Sequence, residues 1–561
     1  MKKTNWLLLV LALVLSMFLA ACSGGGDGSS SDGGNDSGGD SGDQAAGDSE
    51  QVLNIMDTAE IPTMDPSLAT DAVAFQWLGS TMDGLYRLGK DAKAEPGIAK
   101  DHKVSEDGLT WTFNLREDAT WTNGDPVTAN DFVYAWQRAV NPETGSEYGP
   151  YMMGGVIKNA TDIANGDTPV EELGVKAVDD YTLEVTLEKP VPYFESLTTF
   201  GTFLPLNKKF VEEQGDQFAL ETDSYLGNGP FKLTEWNHGE GWVLEKNEDY
   251  WDAENVKLNK INVKVVKDTA TGVNLYETGE VDRANLSAEF VDQYRSSEDF
   301  RVEEEPTLFY LKFNQEANDV LANVNARKAM QMVIDRQSMV DVILNNGSIP
   351  AVGDIPQNFV KHPESGEDFR EINGDLVEYN VDKAQELWSK AKEELGQDTI
   401  ELNYLGGDTE TAKNLDAYIK DQLEQLEGLT VKVQAVPFKE RLDRDTSMNY
   451  EIQNAGWGPD YIDPNTFLNM WVTDGGNNKT GYANEEYDAM IEKANTELAQ
   501  EPVKRFETFL EAEKMLIQDD AVLAPLYQRA RAQLWKPYVK DVQVNPMGPD
   551  YNYKYAHIEG K

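Results

Sequence analysis

Trp111-Thr-Phe-Asn-Leu-Arg-Glu-Asp-Ala-Thr-Trp-Thr-Asn-Gly-Asp-Pro-Val-Thr-Ala-Asn-Asp-Phe132 packs a strand, a turn and the start of a helix into one stretch. The run Leu109-Thr-Trp-Thr-Phe-Asn-Leu115 alternates apolar and polar residues, the period-two pattern of a half-buried strand. Asn123-Gly-Asp-Pro126 is turn chemistry. Thr128-Ala-Asn-Asp131 has capping-box spacing, with Asp in place of Glu or Gln, and predicts a helix over 132–140. Further out, Tyr181-Thr-Leu-Glu-Val-Thr-Leu187 alternates in the same way, and 261–266 reads as a third strand. Residues 325–344 read as one long helix with Met330, Val333 and Ile334 inward. Residues 382–395 place Ala384, Leu387, Trp388, Ala391 and Leu395 on one face. A strand is expected over 431–436 and helices over 485–498 and 504–518. Strands and helices alternate irregularly, without a visible internal repeat. The expected fold class is therefore α/β, mixed α+β, rather than a barrel or an all-helical body.

The chain has 561 residues, which at roughly 150 per domain makes about three to four domain-sized pieces. Its 40% hydrophobic and 10% aromatic content can fill large cores and excludes wholesale disorder. A net charge of −50 argues against nucleic acid or anionic lipid as a partner, since both would be repelled. A single cysteine permits no intramolecular disulfide and no thiolate cage. The four histidines, His102, His238, His362 and His557, are scattered, so neither a metal site nor a cofactor is expected.

The lone cysteine has a position that explains it. Lys2 and Lys3 precede an apolar run from Trp6 to Leu19, too short for a comfortable membrane span. The run ends in Leu19-Ala-Ala-Cys22, which resembles the lipobox of bacterial lipoproteins. An ordinary signal peptide with a chance cysteine is the alternative. It fits less well, because the chain's only cysteine stands where the box requires it. The resemblance implies a signal peptide over 1–21 and lipidation of Cys22. Residues 22–50 follow as a tether of Gly, Ser, Asp, Asn and Ala, with seven acids and no basic residue. Its end-to-end distance would be roughly 30 Å. Taking away Lys2, Lys3 and the tether acids leaves about −45 on the body. A salt-loving or alkaliphilic host would explain that charge; solubility is the plainer reason.

Two apparent chemistries need weighing. Ser389-Lys-Ala-Lys392, Ser447-Met-Asn449 and Lys479-Thr-Gly481 follow the order of motifs in serine acyl-transfer enzymes of the penicillin-binding class. Ser389, however, falls mid-helix, off the Leu387/Trp388/Ala391 stripe and beside Lys390, Lys392 and Glu393, on a solvated face. No enzymatic activity is expected. Asp460 and Asp463, in Asp460-Tyr-Ile-Asp-Pro464, could form a carboxylate pair, but no further ligands stand at calcium-loop spacing. A turn before Pro464 accounts for Asp463. Asp460 sits among Trp457, Tyr461 and Phe467, and an acid among aromatics suits capture of a cationic group.

Longer blocks decide the family. The opening stretch, with Asp83-Gly-Leu-Tyr-Arg87 before it and Tyr134-Ala-Trp136 after it, resembles the signature of family 5 extracellular solute-binding proteins. Asn228-Gly-Pro-Phe-Lys-Leu-Thr-Glu-Trp236, with Leu244-Glu-Lys-Asn247 and Tyr250-Trp251, is similar to the family's central block. Asn325-Ala-Arg-Lys-Ala-Met330 with Val333-Ile-Asp335 resembles a third. Gly456-Trp-Gly-Pro-Asp-Tyr-Ile-Asp-Pro464, Asn477-Asn-Lys-Thr-Gly-Tyr482 and Pro525-Leu-Tyr527 resemble the C-terminal part. The likeness runs from about residue 52 to the end, and is nearest to the oligopeptide-binding lipoproteins of Gram-positive bacteria.

The resemblance implies a two-lobed periplasmic-binding-protein-like fold (type II, cluster C) with an extra domain, closing over its ligand. Lobe I would comprise 51–72, 206–309 and 528–561, the extra domain 73–205 and lobe II 310–527. It implies a monomer, lipid-anchored on the extracellular face of a Gram-positive membrane (the periplasmic face in a Gram-negative host), that hands oligopeptides to an ABC permease. Asp460 would pair with the peptide's ammonium beside Trp457. Gly456 to Gly458 would offer a backbone edge, and Glu60 would lie on the facing strand of the other lobe. Tyr148 and Tyr527 would line the cleft. Where some relatives carry an Arg to meet a tripeptide's carboxylate, three residues before the Trp, this chain has Asn454. Longer peptides, or another partner for the carboxylate, are therefore expected. A nickel chelate or a sugar as ligand, or a role mainly as peptide-pheromone receptor, are the alternatives.

Overall fold

The computed structural model describes residues 50–89, 93–191 and 193–561. The signal peptide, Cys22 and the tether up to residue 49 lie outside the described residues.

Three sheets organise the body. The opening stretch forms Thr110–Leu115, with Trp111, Phe113 and Leu115 buried and the residues between them half-buried. It is paired on both sides in an antiparallel sheet with Ala99–Val104, Thr182–Thr186 and Val175–Asp179. The helix Ala129–Val140 follows. Asp131 closes its first turn, accepting from the Thr128 backbone N–H at 2.7 Å. Phe132, Ala135, Trp136 and Ala139 are buried, and the Trp136 indole donates to the Phe203 carbonyl at 3.0 Å.

The second sheet sets Val52–Asp57 parallel to Lys260–Val265, followed by Gly241–Lys246 and Phe231–Asn237. The third has seven strands, in the order Arg283–Asn285, Leu523–Trp535, Phe300–Phe313, Ile452–Trp457, Ile400–Gly407 and Leu429–Val436, with Ile349–Pro350 on the side. Its last three strands run parallel, joined by the helices Glu410–Leu423 and Phe438–Thr446. The boundaries expected at 309/310 and 527/528 both fall inside strands of this sheet.

The single helix expected over 325–344 is corrected. It breaks into Val324–Met332, Arg336–Ser338 and a π-helical turn Met339–Leu344. Asp335 leaves the helical region, and its carboxylate accepts from the Ser338 N–H at 3.0 Å. Arg336 is buried and donates to the carbonyls of Gln331, Ile334 and Pro525. Carbonyls that would serve a continuous helix serve a guanidinium instead. Met330, Val333 and Ile334 are nonetheless buried, as their spacing required. The helix expected over 485–498 ends at Asn495, and that over 504–518 turns π-helical after Lys514.

The family blocks meet at Asp83, which is fully buried. Its carboxylate pairs with Arg87 and accepts from the Tyr250 hydroxyl and the Trp251 indole, each at 2.8 Å. The Asn228 side chain bonds both backbone groups of Asp83, at 2.9 and 3.0 Å. Asp83→Ala strands Arg87 without its counter-charge and is expected to destabilise the fold by about 3–5 kcal/mol. Urea denaturation of the variant checks this.

Candidate functional site

In open α/β sheets, ligands sit beyond the carboxyl ends of parallel strands. Here that edge is formed by the ends of Ile400–Gly407, Leu429–Val436 and Ile452–Trp457. Ile452–Trp457 is paired along its whole length with Phe300–Phe313, from Ile452 opposite Phe313 to Trp457 opposite Leu308. Its other neighbour, Ile400–Gly407, reaches only Ile452 and Gln453. From Asn454 to Trp457 the second backbone edge therefore has no strand beside it. A row of unpaired N–H and C=O groups is a template for an added strand.

The side chains keep this edge open. Gly456 and Gly458 are exposed. A Cβ on Gly456 would lie 2.9 Å from the Phe309 ring, and one on Gly458 3.2 Å from Thr307 Oγ1. Phe309 in turn stacks flat on Tyr527, centroids 4.9 Å apart at 2°. Tyr527 thus reaches Gly456 only through Phe309, on the strand that lies between them.

Trp457 is fixed at both ends. Its indole N–H donates to the Thr466 carbonyl at 3.0 Å. Its ring stacks against Tyr148 at 6.1 Å and meets Tyr151 edge-on at 6.0 Å. Tyr148 and Tyr151 sit three apart on the short helix Tyr148–Met153, and Tyr148 also stacks on Phe200 at 5.5 Å. Tyr193 lies parallel to Tyr461 at 5.4 Å. Residues of the 73–205 segment thus wall in the loop after Trp457.

Asp460 ends this wall. It is 7% exposed, its N–H donates to Thr466 Oγ1 at 3.0 Å, and its Oδ2 has no partner. Burial pushes its carboxyl up to about 8, only partly offset by the hydroxyls of Tyr151 and Thr466. An acid so placed accepts a cation readily, because the cation supplies the partner that the fold withholds. Asp463 is not its companion: it is held by Arg505 through two bonds, at 2.5 and 2.8 Å, and caps the Asn465 N–H.

Glu60 requires a correction. It lies in no strand, because Val52–Asp57 ends three residues earlier. Its carboxylate meets His238 Nδ1 at 2.5 Å, and His238 Nε2 faces Glu221 at 3.3 Å. Burial opposes the charged ring, yet the bonds and charges of the two carboxylates hold the His238 pKa above its ordinary value. The three enzyme-like fragments are used elsewhere. Ser389 is exposed, Ser447 Oγ donates to the Asp443 carbonyl at 2.8 Å, and Lys479 pairs with Glu147 at 3.7 Å.

Sequence reasoning missed Tyr151 and Thr466. Tyr151 could have been found from its spacing to Tyr148, since residues three apart share a helix face. Thr466 gave no such signal. The two glycines give a graded test of the edge. Gly456→Ala pushes on a stacked ring and is expected to cost about 1–3 kcal/mol, whereas Gly458→Ala meets a single oxygen at a longer distance and costs less. Thermal denaturation of the two variants distinguishes them.

Known proteins share this architecture. The profile described as bacterial extracellular solute-binding proteins, family 5 Middle, matches residues 93–479. The dipeptide-binding protein DppE of Bacillus subtilis is 34% identical over 96% of each chain. The structure of Listeria monocytogenes OppA bound to peptide is 45% identical and superposes with a TM-score of 0.88, covering 91% of this chain and all of that one. Escherichia coli MppA, a murein tripeptide binding protein, offers a test of lobe arrangement at 28% identity. One of its structures matches at a TM-score of 0.81 over 91% of this chain and 98% of that one. Its unliganded open form reaches only 0.58 over 91% and 97%. The present structure therefore has its lobes away from that open arrangement. The fold is α/β, mixed α+β, two-lobed and periplasmic-binding-protein-like with an extra domain, and the chain belongs to the bacterial extracellular solute-binding proteins of family 5.

Proposed function

We propose that the protein is the substrate-binding component of an ABC importer, capturing oligopeptides between its lobes and delivering them to the permease. It acts as a binder, without catalysis, and works as a monomer. The lobes divide at 309/310 and 527/528, and 73–205 forms the extra domain. The observation that carries this reading is the unpartnered Oδ2 of Asp460 at the end of an unpaired backbone edge. An extended peptide has what both features lack: backbone groups for the edge and an ammonium for the acid. Names of relatives agree, DppE being called dipeptide-binding and the Listeria OppA structure being bound to peptide.

Removing one member of a buried ion pair costs on the order of 3–5 kcal/mol. Asp460→Asn is therefore expected to weaken peptide binding at least about tenfold. N-acetylated peptides should bind the parent as poorly, and equal affinity for free and acetylated peptides would exclude ammonium capture. Binding should also be linked to protons. With its pKa at about 8, the empty site holds a proton at pH 7. A bound ammonium favours the ionised carboxylate and drives that proton off. Affinity then rises from pH 6 towards 8, and falls above that as the peptide's amine, at about 7.7–8.0, loses its charge. Calorimetry in buffers of different ionisation heat should show close to one proton released per peptide at pH 7, and none for Asp460→Asn.

The proposed location is the outer face of the cell membrane, through a lipid on Cys22. Stable anchoring takes more than one acyl chain, at about 0.8 kcal/mol per buried CH₂. Cys22→Ser is expected to move the protein from the membrane fraction to the medium, as read by fractionation and immunoblot. Retention in the membrane would refute the anchor.

A further inference from the structure

An extended peptide bound at Asp460 has a second charged end, and the edge that binds its backbone leads to Asn454. Ile452–Trp457 points its carboxyl end at Asp460, so a ligand with its ammonium there runs antiparallel to the strand, its carboxylate heading back towards Asn454. Three residues separate Asn454 from Trp457, about 10 Å of strand at ~3.3 Å per residue. A short peptide spans that distance.

Arg441 stands at this end. It lies on the helix Phe438–Thr446, which begins directly after the carboxyl end of Leu429–Val436. Its Nη1 donates to the Asn454 carbonyl at 2.6 Å, and its guanidinium lies 5.2 Å from the Phe438 ring centroid. Among the described residues that is the one hydrogen bond its side chain makes, and no carboxylate lies within ion-pair distance. Half of the planar fork is uncommitted, and that fork matches a carboxylate bidentately. Beside it, Asn454 is 9% exposed and its Oδ1 has no partner.

Two acids feel the Arg441 charge. Asp416 has its oxygens engaged by the Tyr404 hydroxyl at 2.7 Å and the Gly407 N–H at 3.1 Å. Asp71, in the first segment of the chain, caps the helix Ala72–Thr81 through Oδ1, while its buried Oδ2 has no partner. The negative charge of Asp71 therefore opposes an incoming carboxylate, without itself pairing with Arg441.

The geometry points to Arg441 as the anchor for the carboxylate of a bound peptide, at the opposite end of the edge from Asp460, a specificity determinant that rests on the peptide-binding reading above.

The test is calorimetric titration of the mature protein with tri-, tetra- and pentapeptides, each as the free acid and as the C-terminal amide, all with free amino termini. For the parent, at least one length is expected to lose about tenfold or more on amidation. Arg441→Gln should reduce that ratio to about twofold and leave affinity for amides nearly unchanged. Asp71→Asn, which keeps the Oδ1 helix cap, should tighten binding of free acids and leave amides unchanged. Parent affinities that ignore amidation at every length overturn the assignment, as does an Arg441→Gln variant that keeps the ratio. In both cases discrimination against N-acetylated peptides would show that peptide binding itself stands. A parent that binds no peptide at all overturns both.

Discussion

The antiparallel pairing of Phe300–Phe313 with Leu523–Trp535 is the constraint on which the rest hangs. These strands link Arg283–Asn285 on one side to Ile452–Trp457 on the other. Midway their register shifts, between Glu304 opposite Ala530 and Leu308 opposite Gln528. Pro306 lies in that gap and has no N–H for the ladder, which explains why pairing lapses there. Charge takes over where the ladder stops. Glu305, 8% exposed, accepts from Arg529 and Arg531, and Arg531 also reaches Asp550 at 2.6 Å. Beyond the bulge, Leu308 to Phe313 pair without interruption with Ile452–Trp457 and fix Trp457 and Gly456 in register. A bulge bends a strand and re-aims the side chains after it. Phe309, the ring that demands glycine at 456, is the second residue after this one.

The site is held by bonds that do not involve a ligand. Thr466 accepts from Trp457 and engages the Asp460 N–H, while Asp463 is locked to Arg505. The loop from 457 to 466 is thus ordered around one buried carboxyl whose second oxygen is left unpaired. An unpaired buried polar atom is costly in a fold and favourable in a receptor, because binding relieves the cost. On the proposed reading, preorganisation of this kind would concentrate affinity on the peptide's backbone and termini, the parts every peptide shares.

Much of this was legible in the sequence, and the exceptions have physical causes. The alternation of Trp111, Phe113 and Leu115 and the spacing of Thr128 to Asp131 fixed a strand and a helix start, because both signals are local. The long blocks identified the family, but Asp83 and Asn228, prominent in them, serve the core rather than the ligand. The break after Met332 could not be read, since its cause is Arg336 reaching a carbonyl nearly two hundred residues away. The resemblance implied a strand at Glu60, but the segment after Asp57 has no strand partner, and an extended chain without a partner is not a strand. Tyr527 and Gly456 stood far apart in sequence, and only strand order shows that Phe309 lies between them.

On the proposed reading, the same strand order lets the protein grip a chain without reading its side chains. The ladder from Asn454 to Trp457 offers backbone groups, and two glycines on either side of Trp457 remove the side chains that would narrow the approach. The aromatic wall of Tyr148, Tyr151 and Trp457 is contributed by two distant segments, so the environment that raises the Asp460 pKa exists only when those segments are together. On the proposed reading, an arriving ammonium displaces the proton of this buried acid. The ion pair that results is strong because the surrounding rings keep water and its high dielectric away. Recognition would then be driven from the peptide's charged amino end.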